Sequence, residues 1–165
     1  MIVHRLVALA ALLVSVAACS NTDTTPRSGT DPATATRADQ PATEESDVTP
    51  IRLTVDNQPL SAELADNPTA RAFADQLPLT LTFRDFNRVE KIAELPRPLT
   101  TEGVPDGDDP DIADIGYYAP SNNLVLYYGD VGYWTGIVRI GRFNKDDLDL
   151  IQRQPDDFEV TIQRG

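Results

Sequence analysis

The sequence predicts a mainly β domain: a small closed or nearly closed barrel of about eight strands with one or two short helices. Three observations lead there. Apolar residues recur with a period of two in several segments between positions 51 and 162. The stretch Leu124-Val125-Leu126-Tyr127-Tyr128 is apolar on both faces, which marks a strand covered on each side. Only one segment carries a full set of helix signals. Closing the sheet removes edges that would otherwise invite aggregation. A β-sandwich is the alternative that the same pattern allows.

The elements follow in order. Ile51, Leu53 and Val55 alternate with Arg52 and Thr54, and predict a strand with one buried face. A turn at Asn57-Gln58-Pro59 leads to a second strand through Leu60, Ala62 and Leu64. Asn67 is a good N-cap, and Pro68 suits the first helical position because its missing N–H had no partner there. Ala70, Phe73, Ala74 and Leu77 form that helix's apolar stripe, and Pro78 stops it. Leu79, Leu81 and Phe83 make the next strand. Glu90–Leu95 reads either as a strand or as a helical turn. Ile112–Tyr118, Leu124–Tyr128 and Gly136–Arg142 are strands, and Phe158, Val160 and Ile162 mark the last one. Lys145–Arg153 is a second short helix, with Leu148 and Ile151 facing inward.

The N-terminal part is different. Residues 6–18 are an apolar run behind His4 and Arg5, shorter than the ~20 residues that span a bilayer. It fits a secretory signal over residues 1–18. The run ends at Val16-Ala17-Ala18-Cys19, the pattern of a bacterial lipobox, in which the cysteine becomes lipidated. Cys19 is the only cysteine, so an internal disulfide is excluded. Two or three acyl chains on Cys19 give stable anchoring, where one would hold only marginally. The expected location is the extracytoplasmic face of the plasma membrane or outer membrane. Residues 19–49 are rich in Thr, Asp, Ala and Pro, without an aromatic side chain. Such a segment buries too little apolar surface to offset its ordering entropy, and is expected to be a disordered tether. Residues 50–165 then form one domain.

Composition removes whole classes of chemistry. The formal charge of −12 becomes one unit more negative when Arg5 leaves with the signal. That surface repels nucleic acid, so no nucleic-acid partner is expected. The single histidine, His4, leaves too. Without histidine or a free thiol, Ser-His-Asp and Cys-His catalysis and the usual nitrogen and sulfur zinc sites are out of reach. No metal or cofactor is expected. Asp106–Asp111 has oxygen donors and a glycine but lacks the spacing of a calcium loop.

Several blocks resemble, in order, the bacterial cyclophilin-like domain family. They are Asn67-Pro68-Thr69-Ala70-Arg71 with Leu77–Thr82, then Glu90-Lys91-Ile92 with Leu95–Leu99. Asp114–Pro120, Asn123-Leu124, Tyr128-Gly129-Asp130 and Gly132–Gly141 follow. The resemblance spans roughly Ile51 to Ile162. It implies a cyclophilin-type barrel whose biochemical role is undefined. Two departures stand out: Ala113 where the family usually has Gly, and Ser121-Asn122 in place of a common Trp-Gly. The Phe-His-Arg and Gln-Gly-Gly runs of true prolyl isomerases do not occur in this sequence.

The expected function is therefore a binding module for a peptide or small ligand. A prolyl isomerase with a rearranged site and a scaffold in an envelope complex are the alternatives. Prolyl isomerisation needs no acid, base or nucleophile, only an apolar pocket and a donor aimed at the amide nitrogen. Arg139 is the candidate donor. Phe83, Tyr117, Tyr128 and Trp134 are candidate contact residues, since exposed Tyr and Trp bind with few torsions to freeze. The same residues also read as a surface ion-pair arginine and as barrel filling. The lipid expectation has a direct test. Cys19→Ala should release the protein from membranes or leave it unprocessed; fractionation identical to wild type overturns it.

Overall fold

The computed structural model describes residues 48–165. The signal, Cys19 and nearly all of the tether lie outside the described residues. The strands are β1 (Thr49–Val55), β2 (Gln58–Leu64), β3 (Leu79–Phe86), β4 (Glu90–Glu94) and β5 (Gly107–Asp108). Then come β6 (Asp114–Tyr118), β7 (Asn123–Tyr127), β8 (Trp134–Thr135), β9 (Ile137–Phe143) and β10 (Phe158–Arg164). Helices α1 (Pro68–Ala74) and α2 (Leu148–Gln152) and two single 3-10 turns, Ala119–Ser121 and Lys145–Asp147, complete the described elements. Eight strands close an antiparallel barrel in the order β1-β10-β3-β4-β7-β6-β9-β2, and β5 and β8 pair separately.

Local chemistry explains the joints. β1 and β2 form a hairpin whose two loop residues are Asp56 (φ 49°) and Asn57 (φ 62°). Two positive φ values match the right-handed twist of the flanking strands, and Asp and Asn tolerate them. The turn therefore sits at Asp56-Asn57, ahead of the predicted Asn57-Gln58-Pro59, and Gln58 and Pro59 belong to β2. Pro59 falls where β2 has not yet met β9, whose pairing with it covers Ala62 to Leu64, so its missing N–H costs no bond on that side. Asn67 caps α1, its side chain accepting from the Ala70 N–H at 2.8 Å.

Alternation then builds the interior. Leu53, Val55, Leu60, Phe83, Leu124, Leu126, Ile140 and Val160 are all almost fully buried within one cluster. Phe83 and Phe158 meet there with ring centroids 5.7 Å apart. Glu90–Leu95 resolves as strand β4. Its alternation was hidden because both of its faces are covered: Ala93 joins the interior, while Ile92 joins an outer cluster with Val125, Tyr127 and Ile137. β6 begins at Asp114, later than predicted, because Ile112 is exposed and Ala113 adopts φ 78° in the preceding turn. That left-handed value is what favours glycine, the residue usual there in the resembling family. In α2 the buried residues are Leu150 and Ile151, and Leu148 is only partly buried.

One end of the barrel interior is polar. Lys91 lies on the inward phase of β4 and is 1% exposed. Its Nζ donates to the Gln154 carbonyl at 2.6 Å and to Asp85 Oδ2 at 3.0 Å. The rings of Tyr128 and Phe158 flank it at 5.5 and 5.8 Å. Tyr128 donates its hydroxyl to the same Asp85 oxygen, and the Arg88 N–H donates to Asp85 Oδ1. Burial works to raise the Asp85 pKa. The hydrogen bonds from Tyr128, Lys91 and Arg88, together with the Lys91 charge, outweigh it and hold the carboxyl below its usual range.

This arrangement fixes a pH dependence. A lowered carboxyl pKa gives stability that is present above the unfolded-state value and lost as pH falls through the folded one. Asp85→Ala leaves a buried ammonium with only a carbonyl, and should cost about 3 kcal/mol in urea unfolding at neutral pH. The gap from wild type should narrow on acidification below the ordinary carboxylate range. An unchanged gap would show that the ion pair contributes nothing.

Candidate functional site

The outer face of the barrel carries a groove of about 680 Å³. Strand register builds its floor. Across the outer face, Arg84 of β3 stands opposite Ile92 of β4, Ile92 opposite Val125 of β7, and Val125 opposite Gly116 of β6. The row on one side runs Phe86, Glu90, Tyr127. On the other side, Asn123 faces Tyr118, which faces Ile137 of β9. Ile92, Val125 and Ile137 are thus the apolar floor, and Arg84, Glu90, Asn123 and Asp130 set polar groups around it.

Gly116 makes the floor possible. A Cβ there would lie 2.6 Å from the Tyr127 ring, which crosses the strand at that point. Tyr127 is fully buried and its hydroxyl has no hydrogen-bond partner among the described residues. Burial first, then the nearby charges of Glu90, Asp114 and Asp108, push its pKa well up, so it is neutral. The segment between β7 and β9 walls the groove. There Val131 packs on the outer cluster and Trp134, 60% exposed, donates its indole N–H to the Val131 carbonyl at 3.0 Å. Glu90 is half-buried, and that burial raises its carboxyl pKa.

The five candidate contact residues do not converge. Trp134 lines the groove. Phe83 and Tyr117 are buried in the barrel interior. The Tyr117 hydroxyl donates to Asn122 and accepts from the Leu99 N–H, both at 3.2 Å. Tyr128 is buried against Lys91 with its hydroxyl committed to Asp85; burial and Asp85 raise its pKa. Arg139 lies on the outward phase of β9 and lines a separate cleft with Glu63, Asp66, Asp111 and Asp114. It bonds Asp108 at 3.0 Å, Asp114 at 3.3 Å and Asp111 at 3.5 Å. Burial opposes its charge, but hydrogen bonds to and the field of Asp108 and Asp114 prevail and raise its pKa. The acidic run is therefore tied in part to Arg139. Among the described residues, no group of three or more His, Cys, Asp or Glu is placed to hold a metal ion.

Arg84, Phe86, Glu90, Ile92 and Val125 were not named as site residues from the sequence. A signal was present: the outward phase of β7 is apolar, so something must cover or use that face. The Ser121-Asn122 departure has a conformational role. Asn122 takes φ 56°, which Asn tolerates nearly as Gly does, and its side-chain amide donates to the Leu95 carbonyl at 2.7 Å. Ser121 leaves the groove rim open where an aromatic would stand.

Comparison with known proteins agrees with this architecture. A family model described as "Cyclophilin-like family" matches residues 53–163. The chain belongs to the cyclophilin-like family. The cyclophilin-like domain is similar to the solution structure of the hypothetical protein AF2241 from Archaeoglobus fulgidus, with a TM-score of 0.56 and 19% identity. That similarity covers 74% of this chain and 99% of the archaeal one. It is also similar to the structure of McbB in complex with tryptophan, with a TM-score of 0.53 and 14% identity. There the match covers 69% of this chain and 44% of McbB, so this chain spans less than half of that protein. At these identities the shared feature is the fold. No curated protein matches the chain.

The Arg139 contacts yield a test on the cyclophilin-like domain. Its side chain is 42% exposed, so solvent screens each pair. Arg139→Ala should change global stability by less than about 1 kcal/mol. It should nevertheless speed amide exchange at Gly107 and Asp108, whose short ladder with β8 the arginine braces through Asp108. Unchanged exchange there would show that Arg139 does not hold this segment.

Proposed function

We propose that this protein is a membrane-anchored extracytoplasmic lipoprotein whose cyclophilin-like domain binds a peptide or small ligand in the outer groove. The observation that carries the binding reading is the groove itself. Its volume lies within the ~300–1,000 Å³ common for ligand sites, and its apolar floor is ringed by a few polar groups. Trp134 adds a large exposed aromatic at its wall. Support for anchoring comes from the lipobox-like Val16-Ala17-Ala18-Cys19. The cell membrane, plasma or outer, is the partner through Cys19.

Arg139 and an aromatic in one open groove would have supported ligand binding and isomerisation alike. Arg139 instead lines the polar cleft, engaged by aspartates, which removes the candidate isomerase donor, while the apolar groove supports ligand binding. The test is a titration of the isotope-labelled full-length chain with short peptides, X-Pro sequences among them. Shift changes at the Ile92, Val125 and Ile137 methyls and at the Trp134 indole are expected, without faster cis/trans exchange in the peptides. Faster exchange would make the domain an isomerase. Absence of any shift with peptides and small ligands alike would overturn the binding reading in favour of a scaffold.

A further inference from the structure

Glu90 is a groove residue with no charged partner among the described residues. It sits half-buried beside the apolar floor and makes no ion pair among the described residues. Strand register places Arg84 diagonal to it, since Arg84 faces Ile92 and Glu90 faces Phe86. Arg84 does not turn to it: its guanidinium lies over the Phe86 ring, 5.9 Å from the centroid. Burial alone accounts for the raised Glu90 pKa, with no neighbouring cation opposing it. A second carboxylate, Asp130, lines the same groove, and one of its oxygens accepts from the Gly132 N–H. A half-buried carboxylate on apolar ground is costly until a cation meets it, and a charge-assisted hydrogen bond is among the stronger polar contacts.

The shape indicates what carries that cation. The groove crosses the sheet from Arg84 and Phe86 on β3 to Ile137 on β9, with Trp134 beyond. From β3 to β9 there are four inter-strand spacings, about 19 Å, which an extended chain of roughly six residues would cover. The protein's negative charge also favours a basic partner over an acidic one. We propose that the groove takes an extended peptide segment bearing a lysine or arginine among apolar side chains, with the cation seated on Glu90. This rests on the reading of the groove as the ligand site. The apolar neighbours of the basic residue lie on Ile92, Val125 and Ile137 and against Trp134.

The chain has a single tryptophan, so its fluorescence reports on this groove alone. The probes are end-blocked peptides of about six residues, apolar except at one central position that is lysine, norleucine or glutamate. Phenethylamine is the small cationic control. With the full-length chain, the lysine peptide should bind about tenfold tighter than the norleucine peptide, and the glutamate peptide weakest. Glu90→Gln should erase the lysine preference and leave norleucine binding unchanged. Equal affinity for lysine and norleucine would overturn the charge selection while leaving the groove as a ligand site. A lysine preference that survives Glu90→Gln would overturn the seat on Glu90. A response to phenethylamine alone would overturn the peptide and leave a small amine. If no probe changes the fluorescence or the floor methyl signals, the proposal fails, and the ligand-site reading fails with it only if the broader titration with peptides and small ligands is also silent.

Discussion

Strand β7 is apolar on both sides, and the rest of the molecule is arranged around that constraint. Leu124 and Leu126 point inward and anchor the barrel core. Val125 and Tyr127 point outward and cannot be left fully in water without losing several kcal/mol of burial. β4 supplies Ile92 from one side, β9 supplies Ile137 from further round, and the segment before β9 folds Val131 over them. The cluster is almost fully buried, and the groove lies over it. The core and the candidate site are therefore two consequences of one strand's composition.

Charge is distributed to match. Lys91 is buried because its ammonium finds a carboxylate, a carbonyl and two aromatic faces at the barrel's end, and the pairing also fixes Asp85 and Tyr128. Arg139 gathers three aspartates from the acidic loop and the start of β6. Both cations are thereby satisfied within the protein. Glu90 is not, and it stands on the apolar face where an unpaired charge is most costly. Lys91 and Arg139 thus hold parts of the fold through internal partners, whereas Glu90 lines the groove without an ion pair among the described residues.

The barrel was legible in the sequence because alternation is a local signal. Every strand with one wet face showed it: β1 through Ile51, Leu53 and Val55, β3 through Leu79, Leu81 and Phe83, and β10 through Phe158, Val160 and Ile162. β4 was ambiguous because two covered faces erase the alternation that marks a strand. Helix α1 was legible from Asn67 and Pro68, since capping is a contact between near neighbours. The first hairpin turn was misplaced by one position, because two adjacent residues with positive φ look no different from other polar turn residues until the register is known. Of the candidate contact residues, only Trp134 lies in the groove. Tyr128 and Tyr117 looked like binding aromatics, yet their hydroxyls serve Asp85, Asn122 and Leu99, partners distant in sequence or set by loop shape.

The sequence by itself determined a β domain, the inward and outward phase of most strands, the family and the charge that disfavours nucleic acid. The family follows from the ordered blocks that resemble it, and the rest follows from composition or from spacing within a few residues. Tertiary structure alone decided which outward residues share a surface. Arg84, Ile92, Val125 and Gly116 form one row only because the closed order β3-β4-β7-β6 fixes their registers. It also decided that Arg139 meets aspartates and that Glu90 meets no cation among the described residues. Those outcomes depend on distances between segments far apart in the chain, and periodicity carries no information about them.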